Sequence, residues 1–220
     1  DMDARQADEG RSSMSKPGGK TKLGEQLVDE RVNIYSDPWN PELPTATWAG
    51  DGRAQQKISW IEKGVVKKNI LTIVDFSLSS NAKRLWVIDM NERKVLFNSL
   101  VAHGKNTGEE FARKFSNTES SLQSSLGFYV TESTYNGSNG FSLKLHGMDK
   151  GFNDAAYRRA IVMHGADYVS DKFVKQTGRL GRSQGCPAVP VALSKEIIST
   201  IKDKSCLFIY HPKLVSSLSS

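Results

Sequence analysis

A chain of 220 residues with 38% hydrophobic content can bury one sizeable core with an appendage, and it holds no run of the roughly 18 apolar residues that a membrane-spanning helix requires. Its formal charge of +6 raises nucleic acid as a partner, but Lys and Arg are spread along the chain without interleaved aromatics, so nucleic-acid binding is not expected. Two cysteines permit one disulfide at most, and the four histidines and two cysteines form no C-x-x-C or H-x-x-x-H pair, so neither a disulfide framework nor a metal site is expected, and no cofactor.

Residues 1–22 are polar, end in SMSKPGGKTK and read as a disordered tail. They lack the apolar stretch of a signal peptide, which leaves the compartment to be argued from chemistry. Residues 23–69 read as an extension. Leu23, Leu27, Val28 and Ile34 have the loose spacing of a short helix that stops before Pro38. DPWNPELPTATWAGDG is rigid and aromatic, and Trp39 and Trp48 are expected to pack on the domain that follows. ISWIEKGVVKKN is expected to be a short helical lead-in.

From Leu71 the apolar period becomes two, as in a half-buried strand. LTIVDF, RLWVIDM and KVLFNSLVA are predicted strands, the last two joined by a turn at Asn91-Glu92-Arg93. A long polar stretch follows, and Lys105 to Ser124 is expected to be a flap over a cleft, because loops of this length in compact domains are usually functional or disordered. LGFYVTESTY and FSLKLHG flank the turn-prone NGSNG and predict a hairpin. RRAIVMHG is a strand that delivers His164 at its end, VALSKEIISTIKD is an amphipathic helix, CLFIYH is the last strand, and residues 213–220 read as a tail. Several antiparallel strands with a few helices make the domain, over 70–212, mostly β.

The chemistry concentrates between the sixth predicted strand and the last helix. Cys186 lies in GRLGRSQGCPAVP, where Gly178, Gly181 and Gly185 surround Arg179, Arg182 and Ser183, and Pro187 follows at once. That composition is expected of a loop rather than of a buried helix or strand. A free thiol with a pKa near ~8.5 is only slightly ionised at neutral pH, so a thiol nucleophile needs a base, and His164-Gly165 supplies an imidazole. A Cys186–Cys206 disulfide is the structural alternative. Context favours the free nucleophile, because Cys206 sits in the apolar run KSCLFIYH, as a small buried hydrophobe would. His103 repeats a His-Gly without a cysteine after it and reads as a strand end. His146 either lines a cleft or faces solvent, and His211 ends the last strand. Lys and Arg outnumber Asp between residues 150 and 186, a field suited to carboxylate-bearing substrates.

The order HG and then S-x-G-C resembles the signature of the YkuD-type L,D-transpeptidases. AIVMHGADYV and GRLGRSQGCPAVP resemble the murein L,D-transpeptidase catalytic-domain branch, with further likeness in NILTIVDFSLSSNAKRLWVIDM, FNSLVAHGKNTG and SSLGFYVTESTYNG, over residues 70 to 212. The resemblance implies a β-sandwich catalytic domain behind an N-terminal extension. It also implies that Cys186 attacks an L-centre to D-centre amide of a peptidoglycan stem peptide, that His164 is base and then acid, and that the Gly165 carbonyl orients the imidazole.

N–H groups around Gly185 and Cys186 are expected to form the oxyanion hole, to which Pro187 cannot contribute. Arg179, Arg182, Ser183, Gln184 and Gly185 are candidates for gripping substrate or ordering the loop. Many relatives have His before the Gly-Cys and Arg soon after the Cys, where this chain has Gln184 and Pro187-Ala188. The implied partners are stem peptides and an amine acceptor on a second stem or a protein, and the implied setting is the bacterial envelope, periplasmic or exported, with carbapenems as pseudo-substrates. Two other readings stay open: an L,D-carboxypeptidase or crosslink-cleaving hydrolase with the same site, and a non-catalytic envelope-binding module, against which the presence of both His164 and Cys186 argues.

Overall fold

The computed structural model describes residues 64–216. The expected tail, the helix after Leu23, the Trp39 and Trp48 segment and the first part of the lead-in lie outside the described residues. The rest of the lead-in, Gly64 to Asn69, forms turns instead of a helix, because Val66 is buried in the core and the Lys67 and Lys68 N–H groups both bond the Lys204 carbonyl, at 2.8 and 3.2 Å.

The strands are β1 (Ile70–Asp75), β2 (Leu85–Asp89), β3 (Lys94–Ser99), β4 (Gly127–Gly137), β5 (Gly140–Gly147), β6 (Val162–Gly165), β7 (Ala188–Val189) and β8 (Cys206–Tyr210), and the helices α1 (Asp171–Thr177), α2 (Val191–Ile201) and α3 (Pro212–Ser216). One sheet of eight strands runs in the order β3-β2-β1-β8-β4-β5-β6-β7. β8 lies parallel to β1 and antiparallel to β4, which makes it the bridge between two runs of neighbours. β1 and β8 are therefore paired on both sides, which is why ILTIVD and CLFIY read as near-continuous apolar runs.

The two edges of the sheet come back together. Beyond β3, Ala102 pairs with Ala188 of β7 (N–H to carbonyl 2.8 Å, returned at 3.4 Å), and Gly104 bridges to Ser183. The Ser183 N–H bonds the His103 carbonyl at 3.0 Å, and Lys105 N–H bonds the Ser183 carbonyl at 2.7 Å. The result is a near-closed, mostly β fold that matches the catalytic architecture expected from the sequence. The short pair Ala188-Val189 corrects the loop expectation for the glycine-rich segment: Gly185 to Val189 are all buried, because their side chains are small enough to close the sheet edge.

Val74, Leu85, Val87, Phe128, Leu143, Leu145 and Met163 fill the core, and α2 covers it with Ser194, Ile197, Ile198 and Ile201, a stripe at helical spacing. Two helices escape the sequence reading. α1 is capped by Ser170, whose Oγ accepts the Phe173 N–H at 3.2 Å, and ends at Gly178 in the left-handed region. α3 buries Leu214, so the described part of the expected tail belongs to the fold.

Beneath the closing edge lies Arg84, fully buried. Its guanidinium donates to the Val101 carbonyl twice (3.1 and 3.0 Å), to the Leu78 carbonyl (2.8 Å) and to His103 Nδ1 (2.8 Å), and it stands 4.8 Å over the Phe76 ring. Burial pulls its pKa down to about 9, with Asp75 opposing. Arg84→Met keeps the apolar stem and orphans these acceptors. At about 1–3 kcal/mol per buried unpaired group, the variant is expected to lose about 3 kcal/mol of unfolding free energy in a urea titration; a loss near zero would show that the head group contributes nothing.

Candidate active site

The parallel pairing of β6 with β7 sets His164 opposite Ala188 and Gly165 opposite Val189. Cys186, two residues upstream of Ala188, thereby meets the start of β6. Its Sγ accepts the Val162 N–H at 3.5 Å and donates to the Ala160 carbonyl at 3.8 Å. The thiol is buried, and burial pushes its pKa up, while the Val162 N–H and the Arg159 charge pull it back without cancelling the rise. The alternative Cys186–Cys206 disulfide does not form, and Cys186 is a free thiol.

His164 Nδ1 lies 2.9 Å from the carbonyl of Gly165. A carbonyl only accepts, so the proton is on Nδ1 and Nε2 carries the lone pair of a base. His103 has the opposite tautomer. Its Nδ1 accepts from Arg84, so its Nε2–H donates to the Gly108 carbonyl at 3.2 Å. Both of its nitrogens are committed to structure, in keeping with the reading of this second His-Gly as a strand-end feature. His146 is exposed beside Tyr157, and His211 rests half-buried against Phe115. Among the described residues no three His, Cys, Asp or Glu side chains converge as metal ligands would.

Close packing requires a glycine at Gly165. A Cβ there would stand 2.7 Å from Ser194 Oγ and 3.2 Å from the Val191 Cα, so the first turn of α2 can sit on β6 only without a side chain. Gly185 combines φ +127° with a close approach, its missing Cβ facing the Gln123 carbonyl at 2.9 Å. Its N–H is spent on Ser183 Oγ at 3.0 Å, and that hydroxyl donates to the Cys186 carbonyl at 2.6 Å. Ser183 thus braces the loop from within, and Gly185 is removed from the expected oxyanion donors. Gln184 is exposed.

Arg179 and Arg182 converge on a single carboxylate of the chain itself. Arg179 Nη2 pairs with Glu109 at 2.8 Å and Arg182 Nη1 at 2.6 Å, and Arg182 also donates to the Lys105 and Gly108 carbonyls. Slight desolvation would raise the Glu109 pKa, but Arg179 and then Arg182 hold it below the ordinary value. In this structure the two arginines order the loop rather than face an open subsite.

The stretch from Lys105 to Ser124 lies against the loop that carries Cys186, and it is tied down rather than free. Ser124 Oγ donates to the Gly185 carbonyl (3.1 Å) and accepts the Gly104 N–H (3.0 Å), and Asn106 N–H bonds the Leu122 carbonyl (3.0 Å). Neither Arg159, whose charge lowers the Cys186 pKa, nor Tyr168, whose own pKa is raised by burial and then by Cys186, was singled out from sequence.

The L,D-transpeptidase catalytic-domain family model matches residues 51–210, well over half of the chain. The chain belongs to the YkuD family of L,D-transpeptidase catalytic domains. A second model, the PmbA/TldA metallopeptidase C-terminal domain, matches residues 2–77, a minority of the chain. No curated protein matches in sequence.

Among solved structures, an L,D-transpeptidase from Mycobacterium smegmatis is similar at 11% identity, over 65% of this chain and 59% of that one, with a TM-score of 0.40. The helical cell shape determining protein from Campylobacter jejuni is similar at 15% identity, over 71% and 55%, with a TM-score of 0.43. An L,D-transpeptidase from Stackebrandtia nassauensis is similar at 15% identity, over 66% and 57%, with a TM-score of 0.39. The chain spans a little over half the length of these structures.

Within this family member the structural histidine carries a pH signature. The His103 pKa is pushed down to about 4 by burial and then by Arg84, against the Gly108 and Glu109 backbone. As pH falls below 6.5 the unfolded chain takes up this proton and the folded chain does not, so stability is lost between about pH 6.5 and 4. His103→Asn removes the titrating group, and its urea midpoint is expected to fall less steeply over that range, by the equivalent of about 2 kcal/mol at pH 5. Parallel slopes for the two proteins would show that His103 does not drive the loss.

Proposed function

We propose that this catalytic domain is a peptidoglycan L,D-transpeptidase working through a Cys186 thioester. The observation that carries the reading is the pairing of β6 with β7, which brings a buried free thiol and a histidine with Nδ1 fixed and Nε2 available to one sheet edge. In the resting arrangement the thiol is turned to the Ala160 carbonyl. The first event is therefore rotation of the Cys186 side chain, with transfer of its proton to His164 Nε2.

The thiolate attacks the carbonyl carbon of an L-centre to D-centre amide. The C–N bond breaks, the imidazolium gives its proton to the leaving amine, and the acyl group remains on Sγ. An acceptor amine then attacks the thioester, gives its proton to His164 and expels the thiolate. The Gly165 carbonyl keeps one tautomer throughout, the part an Asp plays in other triads. The main-chain N–H of Cys186 is the candidate oxyanion donor, and Gln184, exposed on the same loop, is the candidate substrate contact. Arg179, Arg182 and Ser183 act by shaping the loop. Covering of the nucleophile loop by the Gln123-Ser124 end of the long stretch limits water and favours amine over hydrolysis. No helix among the described residues is long and apolar enough to cross a membrane, and an envelope location, periplasmic or exported, follows from the substrate.

Cys186→Ser and His164→Ala are each expected to reduce turnover of tetrapeptide stems at least about a thousandfold, and the double variant to be hardly worse than either, since nucleophile and base act as a unit. Mass spectrometry of the products, with and without an added D-amino acid, reads the outcome. Release of the terminal residue without exchange would make the protein a carboxypeptidase. A carbapenem is expected to add once, at Cys186; an adduct on Cys206 would overturn the site.

A further inference from the structure

Arg159 occupies the turn that leads into β6, and its guanidinium is held by four hydrogen bonds: Nη1 to the Ser116 carbonyl (2.8 Å) and Ser125 Oγ (2.5 Å), Nη2 to Ser121 Oγ (3.1 Å) and the Gln123 carbonyl (2.7 Å). All four acceptors are neutral oxygens. The carboxylate whose field reaches it, Glu119, is paired with its neighbour Arg158 at the surface. A rigidly held cation without a carboxylate of its own is an unusual thing to keep half-buried, because desolvation works against it.

What lies beside it is the nucleophile loop. A Cβ on Gly185 would stand 3.5 Å from Arg159 Nη2. The next residue, Ala160, is held at φ 54°, a conformation that costs a non-glycine residue roughly 1 kcal/mol or more, and its carbonyl accepts the Cys186 thiol. Val162 then gives its N–H to the same sulfur. Arg159 to Val162 thus surround Cys186 from one side with a guanidinium, a carbonyl and an N–H.

We propose that Arg159 is the positioning residue of the nucleophile: it fixes a positive charge beside Cys186 and fastens the Ser116–Ser125 strap onto the nucleophile loop, so that the thiolate formed in turnover meets a cation already immobilised. The proposal rests on Cys186 being the nucleophile. The role is one that no residue next to the cysteine takes, since Pro187 and Ala188 follow it. Among the described residues, Tyr168 also senses the Cys186 charge, and His164 stands two residues after Val162 on β6. The Tyr168 phenol is pushed up to about 12, by burial first and then by Cys186, and stays neutral; Arg182 is turned to Glu109.

The test is the pH dependence of Cys186 alkylation by iodoacetamide, followed by intact mass with peptide mapping, in the parent protein and in Arg159→Gln, Arg159→Met and Arg159→Lys. The neutral variants are expected to raise the alkylation midpoint by about one pH unit, about tenfold less thiolate at a fixed pH, and the Lys variant to stay within about a third of a unit of the parent. An unchanged midpoint in the neutral variants overturns the proposal, as does an equal rise in Arg159→Lys. If neither neutral variant folds, Arg159 is a structural tie and the proposal falls. Alkylation needs neither stem peptide nor β-lactam, so its outcome is separable from a failure of the transpeptidase reading.

Discussion

The pairing of Ala102 with Ala188 is the contact on which the rest of the molecule turns. A sheet of eight strands exposes two rows of unpaired N–H and C=O groups unless its edges are covered or joined. Here the chain leaving β3 returns to β7, and the join is made by Ala102 with Ala188 and Gly104 with Ser183. The approach is close enough that a Cβ on Gly104 would stand 2.9 Å from the Gly185 Cα. Cys186 lies directly in this seam, so the constraint that closes the sheet also places the sulfur.

Two His-Gly pairs flank the seam and are wired in opposite senses. At His164 the ring donates from Nδ1 to its own chain and leaves the outer nitrogen open. At His103 a buried arginine donates into Nδ1, and the outer nitrogen is used on Gly108. From Arg84 the contacts continue through Gly108 to Arg182, Glu109 and Arg179, a chain of charge and carbonyl that runs from the core to the surface of the nucleophile loop. One imidazole thereby keeps a nitrogen for the proposed chemistry and the other is a joint, although the two dipeptides are the same.

The strands were legible because apolar period is a local property: LTIVDF, RLWVIDM and FSLKLHG each announce themselves within a few residues. The proposed pair of His164 and Cys186 was visible for a related reason, as a thiol among glycines with an imidazole upstream is a rare local composition. Arg159 was not, because its meaning comes from Ser116 to Ser125, more than thirty residues away, and nothing in YRRAIVMHG separates it from Arg158, which does no more than meet Glu119 at the surface. Arg179 and Arg182 show the converse. Their position beside the cysteine suggested either a substrate grip or an ordering of the loop, and the distant Glu109 supplies a partner within the chain. Likewise Ala188-Val189 is too short to carry a period and gains its strand character from β6 and Ala102.

The central place of β8 has a consequence for the order in which the molecule assembles. Among the described strands, β8 follows every other one in sequence, yet it alone joins β1 to β4. Until Cys206 to Tyr210 are available, β1 to β3 and β4 to β7 lack the strand that joins them. Contacts this distant along the chain form late, after their loop-closure entropy has been met. A chain emerging from N- to C-terminus therefore carries His164 and Cys186 before the strand that joins the two halves of the sheet is in place. For the proposed reaction, catalytic competence would report that folding is complete.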